Sequence, residues 1–300
     1  VPIIMTGLSV GFAFKTGLFN IGTPGQFIIG AFAAVYVGVK WTFLPGSIHW
    51  LVAILAAFAA GGLWAVIPGV MKAYLNVNEV ISSIMMNYIG MYLVNYSVSL
   101  VLFDALRNQS LPVASTAVIP KMGFDKIFTG SPANGGFVIA ILFVILIYII
   151  LNKTSFGYEM KACGFNKDAS KYAGINEKRN IILSMVIAGA LAGVGGGLLY
   201  LSGSGKFIEV VDVLPAEGFN GIPVALLGLS NPIGVLFAGL FIAYLNVGGN
   251  AMQQFGFIPQ IVDIIISCII YCSALSLMIK VWLSKRRKTK ELGTAKKEGE

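Results

Sequence analysis

The residues best suited to bind a solute form two rows in one uncharged segment, Val80–Phe103. Residues four apart share a helix face, so this segment places a row of amides and hydroxyls beside a row of aromatic rings. The first row is Ser83, Asn87, Asn95 and Ser99, and the second is Tyr88, Tyr92 and Tyr96. Nucleobases stack on aromatic rings and hydrogen-bond to amides. The rows therefore favour a neutral, flat, hydrogen-bonding solute, and the lack of charge favours a nucleoside over a nucleotide.

Both rows also have a purely structural interpretation. Asn and Ser side chains hydrogen-bond neighbouring helices within a membrane, and Tyr is frequent at membrane interfaces. Asn20 and Gln26 lie in a stretch rich in Gly and Pro, and the same two interpretations apply to them. If these residues line a solute path, we expect Asn87→Leu or Tyr88→Ala to reduce uptake without reducing assembly.

The sequence contains no motif for nucleotide binding. The stretch SGSGKF, residues 202–207, resembles a phosphate-binding loop. Such a loop requires a Gly five residues before its Gly-Lys pair and a Ser or Thr after that pair. Tyr200 and Phe207 occupy those two positions, so we interpret the stretch as a flexible turn.

Catalytic and metal-binding constellations are also missing from the sequence. The single histidine, His49, is expected at the outer edge of a helix, without partners, as a surface or interfacial residue. The three cysteines, Cys163, Cys268 and Cys272, lack the sequence context of metal ligands. We therefore predict no catalytic residue, no metal site and no cofactor bound by this chain.

The composition indicates a membrane protein with many helices. Of 300 residues, 57% are hydrophobic and 11% are charged, whereas soluble domains have about 25% charged residues. Six windows contain no Asp, Glu, Lys or Arg: 41–71, 80–103, 127–152, 180–205, 218–262 and 264–279. A transmembrane helix needs ~20 apolar residues, and these windows lack the alternation typical of a barrel. We predict an all-α polytopic fold with about eight or nine spans or half-spans.

Two basic segments predict the orientation of the chain. Residues 153–179, called the polar island here, hold six basic and three acidic residues, and residues 280–300 hold eight basic and three acidic residues. Together they account for the whole net charge of +8. Basic loops mark the cytoplasmic side of a membrane, so both segments should be cytoplasmic, and the stretches 104–135 and 202–220 should be external. The charge is not the signature of a nucleic-acid-binding protein.

This distribution also predicts the domain organisation. We expect one transmembrane domain, 1–282, which contains the island as a cytoplasmic loop, followed by a basic cytoplasmic tail, 283–300. Basic tails of this kind bind anionic membrane lipid. A regulatory contact with a cytoplasmic partner is the alternative role for the tail.

Two Gly/Pro-rich segments interrupt the apolar pattern. After residue 202 the chain must cross the membrane an even number of times before its last helix, Pro259–Ile279, yet Ile222–Leu229 is only about 12 Å long. We therefore predict that Gly218–Pro232 is a discontinuous element with its inner turn at Asn231-Pro232, and that Gly17–Gln26 has the same character. Interrupted segments at membrane depth line transport paths. The alternative is a pair of ordinary tight loops.

The absence of charge inside the predicted helices bears on the energy source. Carriers driven by an ion gradient usually place ionisable residues within helices, and no nucleotide-binding motif is present either. We therefore expect a separate ATPase to drive transport, and the polar island is the only large cytoplasmic segment between helices that it could contact. An ATP-independent carrier or channel is the alternative.

Four motifs resemble those of ABC-importer permeases in the group for branched-chain amino acids, simple sugars and nucleosides. They are GLFNIGTPGQFIIGAFAA (17–34), NEVISSIMMNYI (78–89), GYEMKACGFNKDASKYAGI (157–175) and GFNGIPVALLGLSNPIGVLFAGLF (218–241). The resemblance is strongest to the nucleoside permeases. Members of the group usually begin with a further helix, so we expect the natural chain to extend before Val1.

The resemblance implies the type II importer fold and a permease subunit that forms the path for nucleosides. Branched-chain amino acids or simple sugars are the alternative solutes. It also implies three protein partners: a second permease subunit, identical or related; a cytoplasmic ABC ATPase that binds ATP and Mg²⁺; and an extracellular lipoprotein that binds the solute. The expected location is the cytoplasmic membrane of a bacterium, with the C terminus inside.

The third motif resembles the segment that couples these permeases to the ATPase. Asn166 and Asp168 are good N-terminal caps and Gly174 is a good C-terminal signal, so we predict a short helix at Lys167–Ala173. The coupling residues that the resemblance implies are Gly164, Asn166, Asp168, Ala169, Lys171, Tyr172, Ala173 and Gly174. The charges would set the orientation and the apolar members would supply the contact. The alternative is a solvated loop.

Overall fold

The computed structural model describes residues 1–124, 134–252, 258, 260–272 and 275, and most of this chain is helical. In its first part lie α1 (Pro2–Lys15), α2 (Thr23–Lys40), α3 (Gly46–Leu75), α4 (Glu79–Val101), the hairpin strands β1 (Phe103–Asp104) and β2 (Gln109–Ser110), and a 3₁₀ turn (Ser115–Ala117). There follow α5 (Gly136–Lys153), α6 (Ser155–Phe165), α7 (Lys167–Tyr172), α8 (Glu177–Tyr200), α9 (Ala216–Phe219), α10 (Gly221–Leu227), α11 (Pro232–Met252) and α12 (Gln260–Cys272).

The helices have the length and composition of membrane spans. Among the described residues, α3, α4, α5, α8 and α11 are each long and apolar enough to cross a membrane, and α1 and α12 are shorter apolar helices. The predicted all-α polytopic fold is therefore confirmed. The described residues form two compact units, one from residue 1 to residue 240 and the other from residue 241 onward. The predicted basic tail, 283–300, lies outside the described residues, as does the end of the last predicted helix.

Helix α8 forms the centre of the first unit and is buried along most of its length. It packs against α1, α2 and α3, and it can do so because its second half is rich in glycine. Gly193 lies against the backbone of Gly30 in α2 and of Gly61 in α3. Small residues let membrane helices approach closely enough for extensive van der Waals contact. The glycines of α8 therefore determine how tightly the bundle packs.

The bundle has two distinct ends. At one end, the polar island packs against the C-terminal end of α1, where Gly164 contacts the backbone of Thr16 and Gly17; we call this the island end. At the other, the β1–β2 hairpin pairs with the chain after α8: the Ser110 backbone N–H donates to the Ile208 carbonyl at 2.8 Å. We call this the hairpin end.

The two interrupted segments meet inside the bundle. Helix α2 begins beside Asn87 of α4, which is eight residues, or about 12 Å, from the start of α4. The buried Gly218 of α9 packs directly on Pro24, the second residue of α2. The two segments are therefore packed against each other within the bundle, as the prediction of discontinuous elements requires.

The second interrupted segment has the predicted discontinuous form. Its helix α10 has seven residues, about 10 Å, which is too short to cross a membrane. Its first residue, Gly221, lies beside Thr6 of α1, and Ser230, which follows α10, lies beside Gly11 of α1. Since α1 runs toward the island end, α10 runs the same way, and α11 returns after the turn at Asn231. The predicted turn at Asn231-Pro232 is present and lies toward the island end of α1.

The prediction for His49 is wrong. Its side chain is fully buried at the start of α3. Nδ1 lies 2.9 Å from the Thr116 hydroxyl and Nε2 lies 3.0 Å from the Val37 carbonyl. The partner Thr116 belongs to the 3₁₀ turn, which packs against α3. His49 therefore fixes this turn against the ends of α2 and α3 and is not an interfacial residue.

Candidate functional site

Four of the seven predicted solute-path residues come together at the beginning of α2. Asn20 and Gln26 pair through both side-chain amides: Asn20 Nδ2 donates to Gln26 Oε1 at 2.8 Å, and Gln26 Nε2 donates to Asn20 Oδ1 at 3.1 Å. The Asn20 Oδ1 atom also accepts from the Gly22 backbone N–H at 3.0 Å. Both side chains are buried. This pair closes the non-helical stretch that leads from α1 into α2.

Asn87 and Ser83 of α4 complete this group. Asn87 donates to the Ile21 carbonyl at 3.0 Å and accepts from the Gly25 backbone N–H at 2.9 Å. It therefore satisfies two backbone groups that the interruption leaves without helical partners. Ser83 is fully buried, and its hydroxyl has no hydrogen-bond partner among the described residues. We call Asn20, Gln26, Ser83 and Asn87 the amide cluster.

The other three predicted residues lie elsewhere. Asn95 is near the hairpin end, where its amide nitrogen donates to the Val211 carbonyl at 2.9 Å. Tyr88 and Tyr92 are 50% and 55% exposed on the outside of α4. Ser83, Asn87 and Asn95 of the amide row thus face the interior, whereas Ser99 is exposed. The tyrosine row faces away from this subunit. These residues stay candidates for a solute path, because no contact in a single subunit tests that role.

The amide cluster is electrically neutral. It consists of amides, a hydroxyl and backbone groups at the N-terminal end of α2, where the helix dipole gives a partial positive charge. Among the described residues, no group of three His, Cys, Asp or Glu side chains could hold a metal ion. The cluster can hydrogen-bond a neutral solute or stabilise the two interrupted segments.

The contacts of Asn87 change the expected effect of substituting it. Asn87→Leu removes the partners of the Ile21 carbonyl and the Gly25 N–H, and each buried orphan costs about 1–3 kcal/mol. We therefore expect a loss of about 2 kcal/mol or more in stability, measured as a lower melting temperature of the purified protein. Asn152→Leu is the matched control, since Asn152 is exposed at the end of α5. Equal melting temperatures for both variants would contradict a bracing role.

The predicted coupling helix is present and is capped locally. The Asn166 side-chain oxygen accepts from the Ala169 backbone N–H at 3.0 Å, and Gly174 has the left-handed conformation, with φ of 77°. The helix is Lys167–Tyr172, one residue shorter than predicted, with Ala173 as its C-terminal cap. Asp168 lies within the first turn and is not the cap.

The predicted coupling residues include an exposed apolar surface. Tyr172 is 95% exposed, and Ala169 and Ala173 are exposed as well, as are Asp168, Lys171 and Gly174. Ser170 faces inward. Phe165, which is 90% exposed, extends this surface and was missed by the sequence analysis, although an aromatic residue inside a polar island is a detectable signal. We call Phe165, Ala169, Tyr172 and Ala173 the island surface.

Two features hold the island surface in place. The backbone of Gly164 packs against Thr16 and Gly17. The contact is so close that a side chain at Gly17 or Gly164 would overlap the backbone of the opposite segment. Helix α8 then begins at a second local cap, where Asn176 accepts from the Arg179 backbone N–H at 3.1 Å. The surface is thus joined to α1 and α8, two helices of the bundle core.

Comparisons with known proteins agree with this architecture. Residues 1–274 match the family described as branched-chain amino acid transport system, permease component. The guanosine ABC transporter permease protein NupP of Bacillus subtilis is 40% identical, over 96% of this chain and 82% of that protein. The nucleoside ABC transporter permease protein NupB of Lactococcus lactis is 36% identical, over 100% of this chain and 83% of that protein.

A third relative has a different solute in its name. The glucose ABC transporter permease protein TsgB13 of Haloferax volcanii is 33% identical, over 90% of this chain and 72% of that protein. No solved structure matches the chain. The family match covers nearly the whole chain, and the interrupted helices and multiple spans are consistent with it. The chain therefore belongs to the family of permease components of branched-chain amino acid transport systems.

Proposed function

We propose that this chain is the permease subunit of an ATP-driven importer for nucleosides. The observation that carries the proposal is the similarity, over almost the full chain, to two permeases named for guanosine and nucleoside transport. The amide cluster supports it, because it offers neutral donors and acceptors at membrane depth. Such groups suit an uncharged solute better than an amino acid, whose two charges would have to be buried without partners.

The family and the two ends of the bundle support three partners. The island surface would bind a cytoplasmic ABC ATPase, which supplies the sites for ATP and Mg²⁺, and this chain would not be an enzyme. A second permease subunit would complete the path. An extracellular lipoprotein would deliver the solute at the hairpin end. These assignments place the chain in the cytoplasmic membrane of a bacterium, with the island end and the C terminus inside; the basic residues of the island support that orientation.

The interrupted segments suggest how the path could open. Pro24 and Gly218 are in contact, so a shift of α9 would move the beginning of α2 and the amide cluster with it. The residues that we propose for the path are Asn20, Gln26, Ser83, Asn87, Tyr88, Tyr92 and Asn95. Tyr88 and Tyr92 face away from this subunit, where they would meet the second permease or the path between the two.

Glucose is the second candidate solute, because the permease from Haloferax volcanii is named for it. The partner lipoprotein decides between the two. We expect this chain to co-purify with an ATPase and a lipoprotein, and isothermal titration calorimetry of that lipoprotein to show binding of guanosine and not of glucose or leucine. Binding of glucose alone would overturn the nucleoside assignment, and a protein that purifies without an ATPase would overturn the importer assignment.

A further inference from the structure

A cleft of about 460 Å³ opens at the hairpin end, apart from the amide cluster. It lies between the end of α8 and the extended chain that leads to α9. Its polar and aromatic lining consists of Gln109, Tyr200, Lys206, Phe207, Glu209 and Glu217. We call it the outer cleft. Its volume falls within the range of small-molecule binding sites, about 300–1,000 Å³.

Three polar side chains that line the outer cleft have no hydrogen-bond partner among the described residues. Tyr200 is half-buried, yet its hydroxyl makes no hydrogen bond to any residue that the structure describes. The side chains of Gln109 and Glu209 also make none within the described ranges. Phenol, amide and carboxylate groups that converge on a cavity, next to an aromatic ring, are the groups that fix the orientation of a ligand.

Glu217 connects the outer cleft to the interrupted segments. Its carboxylate accepts from the Lys206 ammonium at 3.3 Å, and its backbone carbonyl accepts from the Thr6 hydroxyl at 3.0 Å. The next residue, Gly218, packs on Pro24. The Lys206 side chain is 55% exposed and the Glu217 side chain is 28% exposed. Exposed ion pairs are weak, so a solute can replace Lys206 as the partner of Glu217.

We propose that the outer cleft is a binding site for a neutral nucleoside, in which Glu217 and Tyr200 hydrogen-bond the solute and Lys206 competes with it for Glu217. The solute class rests on the proposed function. Ribose hydroxyls and base N–H groups are donors that a carboxylate accepts, and a base stacks on an aromatic ring. The carboxylates of Glu209 and Glu217 outnumber the single ammonium, so a phosphate is repelled. The site therefore excludes nucleotides.

The test is the equilibrium binding of radiolabelled guanosine to the permease–ATPase complex in nanodiscs, without added lipoprotein. We expect Tyr200→Phe and Glu217→Gln to raise the Kd by about three- to tenfold. Lys206→Met should lower the Kd by about two- to fivefold, because it removes the competing cation. Guanosine 5′-monophosphate should not displace the label from the wild-type complex.

The opposite signs separate binding from structural support. If the ion pair only held the loop, Lys206→Met and Glu217→Gln would break the same bond and change the Kd in the same direction. Arg107→Met is the matched control, since it removes the same charge from an exposed residue that does not line the outer cleft; it should leave the Kd unchanged. Melting temperatures establish that each variant is folded.

Three results would overturn this proposal: the same Kd for all variants, shifts of one sign for the ion pair, or no solute binding by the wild-type complex. Failure of the proposed function gives a different result. In that case the wild-type complex binds glucose or leucine and no nucleoside, and the same variants are measured with that solute. Opposite shifts then still support the outer cleft as a solute site, and equal Kd values reject it.

Discussion

Gly193→Leu is expected to prevent the protein from folding into a stable bundle. A methyl group at this position would already overlap the carbonyl oxygen of Ala57 and lie 3.0 Å from Cα of Gly61. Backbone atoms of α3 would have to move, and overpacking costs about 1–3 kcal/mol even where side chains alone adjust. A leucine adds three more carbons at the same point, so its cost should exceed that range. The expected observation is loss of the monodisperse peak in size-exclusion chromatography of the detergent-solubilised protein.

The matched control for this prediction is Gly248→Leu. Gly248 also lies within a helix, α11, and a methyl group there meets no described atom within 4 Å. We expect this variant to remain monodisperse, with a melting temperature close to that of the unmodified protein. If Gly193→Leu behaved like Gly248→Leu, close packing around α8 would not be the main determinant of the fold.

The double variant Ala169→Glu/Tyr172→Ala is expected to uncouple ATP hydrolysis from uptake. It places a carboxylate in the middle of the island surface and removes its largest exposed ring. Loss of a buried aromatic anchor at an interface costs about 2 kcal/mol or more. We therefore expect uptake to fall by at least about tenfold, with reduced co-purification of the ATPase or hydrolysis that no longer responds to solute.

Phe43→Ala provides the control for that experiment. Phe43 is 77% exposed, but it lies between α2 and α3, near the hairpin end and far from the island surface. The variant should keep its ATPase and keep hydrolysis linked to uptake. If Ala169→Glu/Tyr172→Ala also retained both activities, the island would be only a solvated loop that fixes the orientation of the chain.

The features that could be predicted from the sequence depend on local chemistry or on length. The coupling helix was predicted because a cap at Asn166 and a left-handed Gly174 are both local signals, although the choice between Asn166 and Asp168 was not resolved. The interruption at 218–232 was predicted because seven or eight helical residues cannot cross a membrane. Neither conclusion required knowledge of a distant contact.

The features that escaped prediction depend on packing between distant residues. Helical spacing placed Asn87 and Tyr88 in neighbouring rows but could not tell which row faces the bundle. Asn87 is buried because its partners, Ile21 and Gly25, lie in an earlier segment. His49 was misplaced for the same reason, since Thr116 lies 67 residues away. The central role of α8 was also missed, because its mean hydropathy of 2.1 lies within the range of the other spans, 1.2 to 2.5, and its glycine pattern was not used.

The most direct test of the central claim is the uptake of radiolabelled guanosine into proteoliposomes that contain this chain, its partner permease, the ATPase and the lipoprotein. We predict uptake with ATP, none with a non-hydrolysable ATP analogue, and none by this chain alone. Guanosine uptake without ATP, or ATP-driven uptake of glucose with no uptake of any nucleoside, would contradict the account.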